Sequence, residues 1–198
     1  MILGLTGGIA TGKSTVSKMI DKNYEVQIID VDIIAKHITN KTEIIQKMED
    51  EFGAKIISKK EGSINRKKLR KIVFSDEEKL KKLNAITHPA ILQEVRKEIK
   101  KYKNIQEIII VDMPLLFEVN FQNEVDKILL VTCSKKMQLK RLKKRDNITK
   151  KMAENMIESQ ISLKEKKKKS DYIIKNNGNL DDLFFEIKLI MEKIKNDL

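Results

Sequence analysis

The stretch Leu5-Thr6-Gly7-Gly8-Ile9-Ala10-Thr11-Gly12-Lys13-Ser14-Thr15 decides how this chain reads. Gly7-x-x-x-x-Gly12-Lys13-Ser14 fits the P-loop pattern G-x-x-x-x-G-K-[ST], in which backbone N–H groups wrap nucleotide phosphates. It follows the apolar Met1-Ile2-Leu3, so residues 1–6 read as a short buried strand, and 13–22 read as a helix with Val16, Met19 and Ile20 on one face. Strand, glycine loop and helix, in that order, are the context such a loop requires. Gly12 permits the turn, Lys13 sets a point charge on the β and γ phosphates, and the Ser14 hydroxyl is placed to join a Mg²⁺ shell. The helix adds its positive N-terminal end. Gly8, Ala10, Thr11, Gly12, Lys13, Ser14 and Thr15 are therefore the expected ATP-binding residues of the loop. Lys13 is also an expected catalytic residue and Ser14 the expected metal ligand.

Working outward, EVQIID at 25–30 gives a second strand signal and 33–38 a helical one. A long charged region over 42–102 carries helical patterns at 42–51, 66–74, 77–85 and 89–102. EIIIVD at 107–112 and KILLVT at 127–132 are continuous apolar runs of the kind made by a parallel sheet covered on both faces, and 171–175 is a weaker fifth strand. Segments 135–144 and 149–169 read as basic helices, Asn176-Asn177-Gly178 breaks the chain, and an amphipathic helix runs from Leu180 to about Lys195. The residues before Pro89 and Pro114 should be extended, so His88-Pro89 should open a helix. Strands separated by helices predict a doubly wound α/β fold with a parallel sheet, in one compact unit.

Forty-one Lys plus Arg against 29 Asp plus Glu give a charge of +12, which attracts nucleic acid, anionic membranes or small polyanions. Three Tyr, six Phe and no Trp, with no run interleaving basic and aromatic residues, leave little for base stacking. A nucleotide-sized anion is the better match, and no nucleic-acid partner is expected. No apolar stretch approaches the roughly 18–20 residues of a membrane span, so no membrane partner is expected either. A single cysteine, Cys133, and no basic-then-apolar leader pattern lead to the expectation of a cytoplasmic location.

Asp30-Val31-Asp32 ends the second strand, and alternation should point both carboxylates one way at the sheet edge that also carries the P-loop. Either can bind Mg²⁺ through water or accept the proton of an attacking hydroxyl, and the competing reading is a strand end or helix cap. Arg141 and Arg145, four apart on one helix face, can clamp a triphosphate or simply form a solvated basic face. The lysine run 166–169 reads as solvated, Cys133 as a small buried hydrophobe, and a lone His88 as a cap or core residue. Asn40-Lys41-Thr42-Glu43 comes too early, and ends in the wrong residue, for a guanine-reading N-K-x-D. Residues 127–147 contain none, which argues against a GTP switch.

LTGGIATGKST, IIDVDIIAKHI, EFG near residue 52, INRKKLRKIVF, LNAITHPAI, VDMPLLFE, QLKRLKKRDNIT and DYIIKNNG occur in register nearly end to end. Together they resemble dephospho-coenzyme A kinases, which use ATP to phosphorylate the ribose 3′-hydroxyl of dephospho-coenzyme A. The resemblance implies a three-layer P-loop NTPase fold of the nucleotide-monophosphate-kinase type with a five-stranded parallel sheet. Its single domain would have a core at 1–41, 103–133 and 166–198, a helical coenzyme-A-binding insertion at about 42–102 and a lid at about 134–165. It implies Asp32 as catalytic general base toward the 3′-hydroxyl, with Asp30 supporting it or the metal. Arg66 and His88 become acceptor-side contacts, and Pro114, Leu115 and Leu116 the acceptor-pocket wall. Arg141, also catalytic, and Arg145 become lid residues closing on ATP, with Asn176, Asn177 and Gly178 near the adenine. ATP, Mg²⁺ and dephospho-coenzyme A are the implied donor, metal and substrate. A monomer is expected, with a small homo-oligomer as the alternative. The family usually ends the segment before the last strand in Ala-Asp, whereas this chain has Lys168-Lys169-Ser170-Asp171. Asp112 is not given the Mg²⁺ role its strand-end place suggests.

Overall fold

The apolar runs of the sequence become the strands of one sheet. The computed structural model describes residues 1–58, 63–73 and 76–198, and packing divides it into two units, Met1–Ile29 with Ile99–Leu198, and Asp30–Glu98. Strands β1 (Ile2–Gly7), β2 (Gln27–Asp30), β3 (Ile109–Asp112), β4 (Lys127–Thr132) and β5 (Tyr172–Lys175) lie in the order β2-β3-β1-β4-β5. The pairings β1 with β3, β1 with β4, and β4 with β5 are parallel. The β1–β3 register sets Leu5 opposite Asp112, so an acidic residue stands beside the last residues of β1, just before the glycine loop.

In chain order the helices are α1 (Lys13–Asn23), α2 (Val31–Ile38), α3 (Thr42–Phe52), α4 (Arg66–Val73), α5 (Glu77–Tyr102), α6 (Lys135–Asp146), α7 (Lys150–Glu158), α8 (Leu163–Lys168) and α9 (Leu180–Asn196). The core of the first unit joins Leu3, Leu5, Ile110, Leu129, Val131 and Ile174 of the sheet to Val16 and Ile20 of α1 and to Leu183, Ile187, Met191 and Ile194 of α9. Burying one such side chain is worth about 1.5–3 kcal/mol, which explains why these runs are strands and inward helix faces despite the 35% of charged residues. In the second unit Ile44, Met48 and Phe52 form the buried face of α3, and Lys82 of α5 pairs with Glu51 of α3 at 2.6 Å.

Three expected helices have different bounds in the structure. The segment 149–169 is two helices, because the Ser162 side chain captures the Glu165 N–H and starts α8 after α7 has ended at Glu158. Segments 77–85 and 89–102 are one helix, α5, with Pro89 inside it. His88 is thus helical rather than extended, and Pro89 does not open a helix. An interior proline costs about 3 kcal/mol. Thr87, Ile91 and Val95 are all buried on this helix, and that packing outweighs the missing N–H. Phe74, the expected end of the helix at 66–74, lies outside the described residues. No helix among the described residues is long and apolar enough to cross a membrane.

Helix α9 is tied at both ends. Asn179 caps it, accepting from Asp181 N and Asp182 N, while Asp182 accepts from Asn179 N. At the far end the buried Tyr172 of β5 donates its hydroxyl to Asp197. Burial first, and then the Asp197 carboxylate, push the Tyr172 pKa up to about 12. The folded value lies above the unfolded one of about 10, so this contribution is fully present below about pH 10 and fades as pH rises through about 12. Tyr172→Phe is expected to cost about 1–2 kcal/mol at pH 8, lowering Tm by a few degrees. In pH-dependent thermal melts the gap to wild type should close between pH 10 and 12, and a constant gap would contradict the assignment.

Candidate active site

β1 ends at Gly7, and the chain turns through two left-handed residues, Ala10 (φ 58°) and Gly12 (φ 93°), before entering α1. Left-handed backbone at a residue with a Cβ costs of order 1 kcal/mol, so Ala10 needs surroundings that hold it. They are supplied by a set of bonds to the loop peptides. Thr11 N and Oγ1 both donate to the Gly8 carbonyl, at 3.2 and 2.8 Å. Ile9 is held on both sides, its N–H donating to Gln160 Oε1 and its carbonyl accepting from Gln138 Nε2, each at 2.8 Å. The Thr11 carbonyl accepts from Asn176 Nδ2 at 2.8 Å and from Arg141 Nη1 at 3.3 Å, and Arg141 Nη2 donates to Asn176 Oδ1 at 3.2 Å.

Helices α6, α7, α8 and α9 each begin on a side-chain cap, from Ser134, Thr149, Ser162 and Asn179. α1 begins on Gly12 and has no side-chain cap. Its first N–H groups, on Lys13 and Ser14, are thus left for an anion, and the helix dipole favours one there. The Lys13 ammonium forms an ion pair with Asp112, the two side chains being 12% and 5% exposed. Asp112, which the sequence left without a role, is thus brought to the loop lysine; its signal was an acid ending an otherwise apolar strand. Beside the loop lies a cavity of about 300 Å³ lined by Gly12, Thr15, Arg141, Asn176, Gly178, Asn179, Leu180 and Leu183.

The structure brings Gly8, Ala10, Thr11, Gly12, Lys13, Arg141 and Asn176 together, with Ser14 and Thr15 exposed on the first turn of α1. Two other expected ATP contacts stand elsewhere. Asn177 does not line the cavity, because its side-chain oxygen accepts the Ser134 N–H at 2.8 Å. Arg145 is exposed and held in a fork by both carboxylate oxygens of Asp146, at 2.7 and 2.8 Å. Pro114 accepts the Thr6 hydroxyl at 3.1 Å, Leu115 is 41% exposed, and Leu116 is fully buried beneath Gly4. Of that expected wall, then, Leu115 offers the open apolar surface. Burial pushes the Cys133 thiol up, against the opposing effect of Arg141, as befits a small core residue.

In the second unit the strand reading of Asp30-Val31-Asp32 needs correction. β2 stops at Asp30, whose Oδ1 accepts the Ile33 N–H at 3.0 Å and caps α2. Asp32 is an exposed residue in the first turn of that helix. Strand alternation therefore does not set the direction of the two carboxylates. Arg66 Nη2 donates to Thr39 Oγ1 at 3.1 Å and to the Lys36 carbonyl at 3.4 Å, at the C-terminal end of α2. His88 is half-buried on α5, and that burial holds its pKa below the ordinary value, so the ring is neutral at pH 7.

A family profile described as dephospho-CoA kinase matches residues 1–182. The chain belongs to the dephospho-CoA kinase family. It is accordingly an enzyme, a phosphotransferase of the P-loop kinase class. The dephospho-CoA kinase of Fusobacterium nucleatum is 47% identical over 195 residues, 98% of each chain. A solved dephospho-CoA kinase from Campylobacter jejuni is 31% identical with a TM-score of 0.76, covering 100% of this chain and 98% of that one. A shikimate kinase from Bacteroides thetaiotaomicron, 13% identical with a TM-score of 0.57 over 98% of each chain, shares the fold alone.

Gly12→Ala tests how this family's phosphate loop is built here. A Cβ at that left-handed position would collide with Asn176 Nδ2 and break its bond to the Thr11 carbonyl. Calorimetric titration should show ADP affinity falling by about 100-fold or more, with Tm several degrees lower. Wild-type ADP affinity in this variant would show that the loop does not depend on the turn.

Proposed function

We propose that this chain transfers the γ-phosphoryl group of ATP to the ribose 3′-hydroxyl of dephospho-coenzyme A, the last step of coenzyme A biosynthesis. The observation that carries the reading is the uncapped start of α1, at the end of a loop whose Gly8, Ile9 and Thr11 carbonyls are already bonded. That leaves main-chain amides and the Lys13 charge for the β and γ phosphates, and membership of the dephospho-CoA kinase family supplies the acceptor. Phosphoryl transfer needs placement and charge compensation more than covalent chemistry. Lys13 exchanges Asp112 for phosphate. Arg141, anchored on the Thr11 carbonyl, brings a guanidinium to the charge that develops in the transition state. The cavity at Asn176 and Gly178 receives the adenine.

Ser14 and Asp112 offer hydroxyl and carboxylate oxygens, the hard donors Mg²⁺ accepts alongside phosphate oxygens, so these residues fit the ion and would hold it. When bound, Mg²⁺ neutralises phosphate charge. Asp32, exposed just beyond the end of β2, takes the proton of the 3′-hydroxyl, and Asp30 fixes the start of its helix. Arg66, His88 and Leu115 contribute to the acceptor site, residues at about 42–102 form the coenzyme-A-binding insertion, and those at about 134–165 form the lid that carries Arg145. The +12 charge steers two polyanionic substrates. The protein works in the cytoplasm, as a monomer or small homo-oligomer, with no nucleic-acid or membrane partner.

A panel of acceptors incubated with labelled ATP, Mg²⁺ and purified protein tests this reading. Dephospho-coenzyme A should be labelled; labelling of a nucleoside instead would overturn it. Asp32→Asn should lower kcat by about 10²–10⁴-fold while ATP affinity stays within about twofold, and near-normal turnover would remove Asp32 from the role of base.

A further inference from the structure

In the basic run that ends α8, Lys167, Lys168 and Lys169 are exposed, but Lys166 is fully buried. Its ammonium lies 2.9 Å from Glu118 Oε1 and donates to the Pro114 carbonyl at 3.4 Å. The same Glu118 oxygen accepts the Ile161 N–H at 3.3 Å. The other oxygen, Oε2, is buried and has no hydrogen-bond partner among the described residues. Lys166 is fully buried and Glu118 is 19% exposed, and replacing so deeply set an ion pair by apolar residues of similar size is often neutral or stabilising. The pair is therefore weak evidence of a stabilising role.

It holds the connection between α7 and α8. Ile161 follows Gln160, and Gln160 Oε1 is the acceptor for the Ile9 N–H of the phosphate loop. The next residue in that loop is the left-handed Ala10. A continuous path of bonds thus runs from Lys166 through Glu118, the 160–161 backbone and the Gln160 side chain to the Gly8–Ile9 peptide of the loop, one residue before Ala10. We infer that Lys166 and Glu118 are positioning residues: their ion pair locks the α7–α8 connection so that Gln160 holds the Gly8–Ile9 peptide, next to Ala10, in the conformation that receives phosphate. This rests on the reading above that the loop binds the phosphates of ATP.

Two variants of the full chain test it, through ADP affinity by calorimetric titration and through Tm. Gln160→Ala removes the last bond of the path and should weaken ADP binding about three- to tenfold, while Tm falls by no more than the few degrees that one lost hydrogen bond costs. Lys166→Met with Glu118→Leu removes both charges together, so no lone buried charge remains and Tm should hold. This double variant should nevertheless lose ADP affinity to the same extent. Wild-type ADP affinity in a double variant that melts like wild type would reduce the pair to a structural role and overturn the inference. Should the double variant not fold, Gln160→Ala decides alone, unchanged affinity again overturning it. The wild type is measured first: ADP binding without phosphorylation of dephospho-coenzyme A would overturn the proposed reaction while leaving this comparison intact.

Discussion

A loop that offers its amides to an anion must turn its carbonyls the other way, and those carbonyls need donors. Here the Thr11 carbonyl takes Asn176 and Arg141, the Ile9 carbonyl takes Gln138, and the Gly8 carbonyl takes Thr11. Each bond is worth only about 1 kcal/mol, yet a buried carbonyl left without one would cost more than that. Most of these donors come from more than a hundred residues away, so the conformation of an N-terminal motif depends on the C-terminal half of the chain. The strand order makes this possible. β4 pairs directly with β1 and β5 lies next to β4, so the segments following β4 and β5 arrive at the loop.

The same sheet settles the charge. Lys13 lies deep enough that a lone ammonium would be costly, and the β1–β3 register sets Asp112 at hand to pair with it. A carboxylate there holds the lysine extended within the site. Lys166, fully buried, and Glu118 form a second pair in the same unit, bonded to main-chain segments where the first pair holds the loop lysine.

The sheet was legible in the sequence because each apolar run is short, continuous and bounded by polar residues, and the phosphate loop was legible because glycine and lysine occupy fixed positions. What could not be read was pairing at long range. Nothing in KEKKKKS distinguishes the buried Lys166 from its solvated neighbours, since Glu118 lies 48 positions away in the chain. The Lys13–Asp112 pair is hidden for the same reason. Other misses left local traces. Ser162 followed three residues later by Glu165 is a helix-start signature inside what reads as one helix. Asp30 is as good a cap as it is a strand end, and the cap prevails once its side chain captures Ile33 N. Pro89 signals a boundary, but tertiary packing overrides it.

The central claim is that the main-chain amides at the start of α1 hold the phosphates. Backbone amide NMR during titration with ADP addresses it most directly, since each amide reports its own hydrogen bond. The largest downfield shifts should fall on Gly12, Lys13 and Ser14, saturating together with binding. Saturable ADP binding that leaves those three resonances unmoved would contradict the account.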